Sequence, residues 1–138
     1  MPALTSAEAR ERFAAARIAH LATIDAASRP HLVPVVFALD GDTVMLAVDH
    51  KPKRTVRLKR LANIAANPSV CLLTDHYEED WDRLWWVRAD GEARVLRFPE
   101  AARCVGLLTA KYQQYADRPP DGPVVEVSVL RWSGWRAL

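Results

Sequence analysis

Residues 19–36 read AHLATIDAASRPHLVPVV, and the reading of this stretch decides the fold. Two apolar runs rich in strand-forming types, Ile18 to Ile24 and His31 to Leu39, flank the turn-forming segment AASRP at 26–30. Pro34 has no N–H to give to a ladder, so it marks an edge or a bulge in the second run. Asp40-Gly41 is a hairpin signal, and Thr43 to Val48 supplies a third strand behind it. Strands joined by hairpins pair antiparallel.

Working outward, Thr5 and Glu8 stand at capping-box spacing, and Ala9, Phe13 and Ala16 form a short apolar stripe, so a helix precedes the sheet. After the third strand the period changes. Leu58, Leu61, Ala62 and Ala65 recur at helical spacing until Asn67-Pro68 stops them. Ser69 to Thr74 and Leu84 to Leu96 read as the fourth and fifth strands, the latter interrupted near Asp90-Gly91. Pro99 and Glu100 open a further helix carrying Val105, Leu108, Tyr112 and Tyr115 on one face. Val124 to Leu130 alternates as the sixth strand, and RWSGWRAL follows as a tail whose Trp132 and Trp135 cap the barrel or pack at a subunit seam. The pattern predicts one mainly β domain over residues 1–138, a six-stranded antiparallel barrel with helices, because closure removes exposed strand edges.

Composition narrows the function classes. Half of the 138 residues are apolar, enough for one core, and a net charge of +2 is too weak to imply a nucleic-acid partner. No apolar run approaches the roughly 20 residues of a membrane-spanning helix. The opening MPALTSAEAR lacks a signal-peptide pattern, which makes a cytoplasmic location the expectation. Cys71 and Cys104 sit in apolar stretches without His or Cys at ligand spacing, so both are expected as reduced core residues and no metal site is expected.

The chemistry-bearing features are few. With five glycines there is no phosphate-cradling loop, and no serine stands in a nucleophile-elbow context. The four histidines are scattered, so a bound cofactor is the expected source of any reactivity. Residues 51–60, KPKRTVRLKR, carry six basic side chains and no acid; residues 75–82, DHYEEDWD, carry five acids and no Lys or Arg. Lys51, Lys53 and Arg54 lie at or near a helix start, and Lys53, Arg57 and Arg60 share a helical face. That arrangement suits a phosphate, with a solvated charged face as the plain alternative. Nucleic acid is disfavoured by the shortness of the cluster and its acidic neighbour. Adjacent Trp85 and Trp86 on a strand point to opposite faces, so one enters the core and the other meets a ring system or a partner subunit.

These residues resemble a known family. AHLATIDAASRPHLVPVV resembles the opening hairpin of the pyridoxamine 5′-phosphate oxidase-like flavin/deazaflavin family, and NIAANPSVCLLTD, residues 63–75, resembles its helix end and next strand. KPKR, LKRLANI, DHYEEDW and RLWWVRADGEARV are similar to an actinobacterial subgroup of F420-dependent enzymes. The resemblance implies a six-stranded, FMN-binding type of split barrel that forms a homodimer with cofactor sites at the subunit interface. It implies a deazaflavin or flavin ring along Val33, Pro34, Val35 and the Val48 end of the third strand. By alignment the family's phosphate-holding pair falls on Lys59 and Arg60, while a longer loop adds Lys51, Lys53 and Arg54. Trp86 matches the position that reaches across the dimer. RWSGWRAL is too short for the C-terminal pattern of the oxidase branch, so oxidation of pyridoxamine phosphate is not implied. The function expected is an F420-dependent reductase acting on a conjugated small molecule. The alternatives are an FMN-binding reductase or flavin shuttle, or a non-catalytic carrier of a cofactor or tetrapyrrole.

Overall fold

A computed structural model describes residues 3–48 and 54–138, with residues 54–58 described in their backbone only. The elements run α1 (Ser6–Ala15), β1 (Ala19–Ile24), β2 (Pro30–Val35), β3 (Ala38–Asp40), β4 (Thr43–Ala47), α2 (Arg54–Ala66), β5 (Ser69–His76), β6 (Trp85–Leu96), α3 (Ala102–Lys111), α4 (Gln113–Asp117) and β7 (Val124–Arg136). All strand pairs are antiparallel, in the order β2-β1-β5-β6-β7-β4-β3.

That order forces closure. β2 and β3 are the two edges of the sheet, yet only Val36 and Phe37 separate them. Three Cα–Cα steps reach at most about 11 Å, so the sheet must curl until its edges meet. The fold is therefore a split barrel with its seam at Phe37, and the expected six strands become seven. The run from His31 to Leu39 breaks into β2, which pairs with β1, and β3, which pairs with β4. The break leaves backbone groups of Phe37 outside either ladder, and the Tyr112 hydroxyl meets them. It accepts from the Phe37 N–H at 3.1 Å, and its proton has the carbonyls of Phe37 at 2.9 Å and Arg17 at 3.0 Å as alternative acceptors. Phe37 itself is fully buried, its ring 4.6 Å from that of Phe13.

The capping box at Thr5 and Glu8 forms: the Thr5 hydroxyl accepts from the Glu8 N–H, and the Glu8 carboxylate accepts from the Thr5 N–H. α1 thereby lays Ala9 and Phe13 on the barrel, where the Phe13 ring also meets Trp132 edge-on. Gly41 supplies the positive φ of 60° for the tight loop joining β3 to β4. At the Asp90/Gly91 register shift a Cβ on Gly91 would fall 2.2 Å from the Ser128 carbonyl oxygen, so the bulge needs glycine. β6 passes through this bulge as one strand. The C-terminal residues read as a tail are instead the second half of β7, paired with β6 as far as Trp85↔Arg136. Trp132 anchors this half by donating its indole N–H to Asp42 at 2.8 Å.

Inside the barrel, Leu21, Val44, Leu46, Leu72, Val87, Val125 and Val127 are fully buried. A second cluster, with Met45, Cys104, Leu108 and Val124, lies under α3. α2 adds Ile64 to the first cluster and joins β1 through Asn63, whose side-chain amide donates to the buried Thr23 hydroxyl at 3.1 Å. Cys104 is buried and burial pushes its thiol up to about 12. Cys71 departs from the core position expected of it: it is half-buried on the outer face beside Asp90, and burial first, then Asp90, raises its thiol.

Candidate functional site

Alternation along β5 and β6 separates a dry face from a wet one. Leu72, Thr74, Val87 and Ala89 point inward and are buried. Leu73, Asp75, Trp86 and Arg88 therefore point outward and, with Tyr77, line an open cavity of about 320 Å³. Cross-strand register assembles the floor: Leu73 lies opposite Arg88, Asp75 opposite Trp86, and Trp86 opposite Trp135. The same outward face continues over β1 and β2 with His20, Ala22, Leu32 and Pro34.

Arg88 is fixed by donating from Nε to the Asp90 carboxylate at 3.1 Å. Beside it in register is Ser133, whose Oγ is buried with no hydrogen-bond partner among the described residues. A buried hydroxyl without a partner is costly, and here it stands on the face that carries the cavity. Tyr77 and Trp81 rise above this end of the sheet, 64% and 74% exposed. Their loop is shaped by Asp80, whose side chain accepts from the Asp82 N–H and caps the turn Trp81–Arg83, and by Glu78, which contacts His76 and Arg83.

Lys59, of the basic segment, lies toward the other end of the strands. α2 begins at Arg54 and ends just before β5. Lys59 is exposed and Arg60 half-buried. Lys59 is near the β1–β2 turn. There the Arg29 N–H holds the Asp25 carboxyl below its usual value, against the opposing effect of desolvation, and the Ala27 N–H and the Lys59 charge add to the lowering. Lys51 and Lys53 lie outside the described residues, and Arg54 is described in its backbone alone.

The structure distributes the residues expected at a cofactor as follows. Trp86 lines the cavity. Pro34 faces outward opposite His20, on the same face. Val35 and Val48 are buried, and Val33 turns inward to pack on the core, so these three offer a ring their backbone at most. β2 is an edge strand, and one side of its backbone has no strand partner among the described residues. Leu73, Asp75, Tyr77 and Arg88 were missed by sequence reasoning. Their signal was present in LLTDHY and WWVRAD, where every second residue shares a face with Trp86. No group of three or more His, Cys, Asp and Glu side chains placed to hold a metal occurs among the described residues. No helix among them is long and apolar enough to cross a membrane.

A closed seven-strand sheet with its seam at Phe37 and an aromatic cavity on its outer face defines a split-barrel protein. The chain belongs to the pyridoxamine 5′-phosphate oxidase family, whose profile matches residues 5–136. Among solved structures it is similar to a conserved hypothetical protein of Mycobacterium tuberculosis, at 22% identity over 97% of this chain and 86% of that one, with a TM-score of 0.75. It is similar to the FAD-binding protein of Mycobacterium smegmatis, at 18% identity over 99% and 98%, with a TM-score of 0.66. It is also similar to the heme storage protein of Vibrio cholerae, at 14% identity over 94% and 90%, with a TM-score of 0.69. No curated protein matches with significance.

Proposed function

We propose that this chain is an F420-dependent reductase of the pyridoxamine 5′-phosphate oxidase family, cytoplasmic and active as a homodimer, that acts on a conjugated small molecule. The observation that carries the reading is the outward cavity at Trp86. A planar tricycle needs a flat apolar wall and a few polar groups at its edge. Trp86, Tyr77 and Leu73 offer the wall; Arg88 and Asp75 offer the polar edge. The residues present therefore fit a flavin-like group.

Reduced deazaflavin supplies a hydride when bound. The chain's own residues bind and orient. Trp86 and Tyr77 keep water from one face, and Arg88, held by Asp90, fixes the ring edge. In this reading Lys59 and Arg60 hold an anionic tail along α2, and the other basic residues of 51–60 add charge for a longer acidic tail. The open cavity wall leaves room for a substrate or for a second subunit.

A flavin reading uses the same surface, and the similarity to an FAD-binding protein favours it as the second choice. Titration with F420, FMN, FAD and heme, followed by tryptophan fluorescence, separates the readings. Saturable F420 binding with hydride transfer to an unsaturated acceptor supports the reductase. Binding of FMN or FAD alone promotes the flavin protein, and heme binding without hydride transfer promotes a carrier. Neutralising Lys59 and Arg60 together is expected to weaken cofactor binding by about tenfold or more, about 1.4 kcal/mol; unchanged affinity would move the anionic tail away from this helix.

A further inference from the structure

Lys111 is a half-buried amine for which the cofactor reading has no use. It is the last residue of α3, and its Nζ reaches across the seam to donate to the carbonyl of Ala16, the C-cap of α1, at 2.8 Å. The centre of the Phe37 ring lies 3.8 Å from Nζ and that of the Tyr112 ring 5.2 Å, so two sides of the ammonium are apolar. A second cation shares the place. The Arg17 guanidinium stands 4.7 Å from the same Tyr112 ring and donates to the Lys111 carbonyl at 3.2 Å. Among the described residues no carboxylate stands at ion-pair distance from either cation. Two positive charges thus meet at a partly dry corner with backbone carbonyls and rings as their contacts.

We infer that Lys111 is a site of reversible carboxylation by carbon dioxide, its Nζ carbamate forming an ion pair with Arg17 beside the seam. An amine must be neutral to attack, and a desolvated lysine next to another cation is the kind that is neutral near physiological pH. Burial first, then Arg17, brings the Lys111 ammonium down to about 8. Near that pH about half of the chains therefore carry a free lone pair on Nζ. The Tyr112 hydroxyl is the other titratable group in contact with it, and burial raises that hydroxyl above its usual value, so it adds no charge in this range. The step needs no oxidant or reductant. The Nζ lone pair forms the N–C bond, one C=O π pair of carbon dioxide moves onto oxygen, and a proton leaves Nζ for water. The nitrogen keeps one hydrogen for the Ala16 carbonyl. The charge at this position changes from positive to negative. The neighbour that opposes the ammonium therefore stabilises the adduct, through charge-assisted hydrogen bonds from guanidinium to carboxylate.

The test places the full chain in isotope-labelled bicarbonate at a pH near 8 and reads it by carbon NMR. A carbamate carbon in slow exchange is expected in the wild type and is expected to vanish in Lys111→Arg, with circular dichroism as the folding control. Arg17→Gln is expected to lower the carbamate occupancy by about threefold, the scale of a partly exposed ion pair. Trapping the adduct in the wild type as an ester with a trialkyloxonium salt, followed by peptide mass mapping, locates it without any variant; the ester is expected on the peptide that carries Lys111. A wild type without a carbamate carbon would overturn the inference. So would a signal that persists in folded Lys111→Arg, or an ester found only on the amino terminus, Lys51, Lys53 or Lys59.

Discussion

The seam at Phe37 and the cavity at Trp86 are both places where strand pairing leaves groups over, and the chain treats them in opposite ways. At the seam the Phe37 backbone is met from within. The Tyr112 hydroxyl serves the Phe37 backbone, the Lys111 ammonium donates to the Ala16 carbonyl at 2.8 Å, and the Arg17 guanidinium donates to the Lys111 carbonyl at 3.2 Å. Phe13 and Trp132 close it with rings. On the face that carries the cavity the Ser133 hydroxyl has no partner among the described residues, and Trp86 and Tyr77 stand partly in water. A fold that satisfies one corner so fully and leaves another open marks the open one as the place completed by something else.

The contrast can be broken by mutation. Phe13→Ala removes a fully buried ring that braces both Phe37 and Trp132, and is expected to cost about 3–5 kcal/mol in urea unfolding without touching the outer face. A cost below about 1 kcal/mol would mean the seam repacks freely. Tyr112→Phe keeps the ring and removes the hydroxyl, leaving the Phe37 N–H without its acceptor; about 1–3 kcal/mol is expected by the same measurement.

Trp86→Ala should behave in reverse. Its side chain lies on the outer face, so stability should fall by about 1 kcal/mol or less, the scale of a cross-strand pair with Trp135. Cofactor affinity should fall by about tenfold or more. Unfolding with intact affinity would make Trp86 a structural residue and empty the comparison.

Lys111 gives the smallest effect, and its sign is fixed. Burial first, then the neighbouring Arg17, lowers its ammonium from 10.5 to about 8, although the Phe37 ring 3.8 Å away favours the charged form. Below about 8 the folded chain carries a half-buried charge that the unfolded chain would hold more cheaply. Between about 8 and 10.5 the unfolded state binds more protons, so stability rises with pH through that window. Unfolding of Lys111→Met against pH should lack this rise; identical slopes would show that Lys111 is not desolvated at the seam.

Sequence made much of the barrel legible because its signals are local. Asp40-Gly41 turns a hairpin, Thr5 and Glu8 cap α1, and Asn67-Pro68 ends α2. The break at Val36-Phe37 was illegible because both residues favour strands; the group that receives it, the Tyr112 hydroxyl, lies 75 positions away. The sixth strand is expected to end at Leu130, and Ser133-Gly134 beyond it hides the continuation. In the fold Gly134 is a close approach, where a Cβ would meet the Trp86 carbonyl oxygen at 2.8 Å. At the site Trp86 was legible as one of an adjacent pair. Of Val33, Pro34 and Val35, only Pro34 looks outward, because neighbouring strand residues cannot share a face.

Amide hydrogen exchange of the chain saturated with F420, against the free chain, tests the central claim most directly. New protection over residues 73–77 and 85–88, with an unchanged seam at 36–38 and 111–112, is the predicted result. Protection confined to the seam or the α3 cluster, with residues 73–88 unaltered, would contradict it.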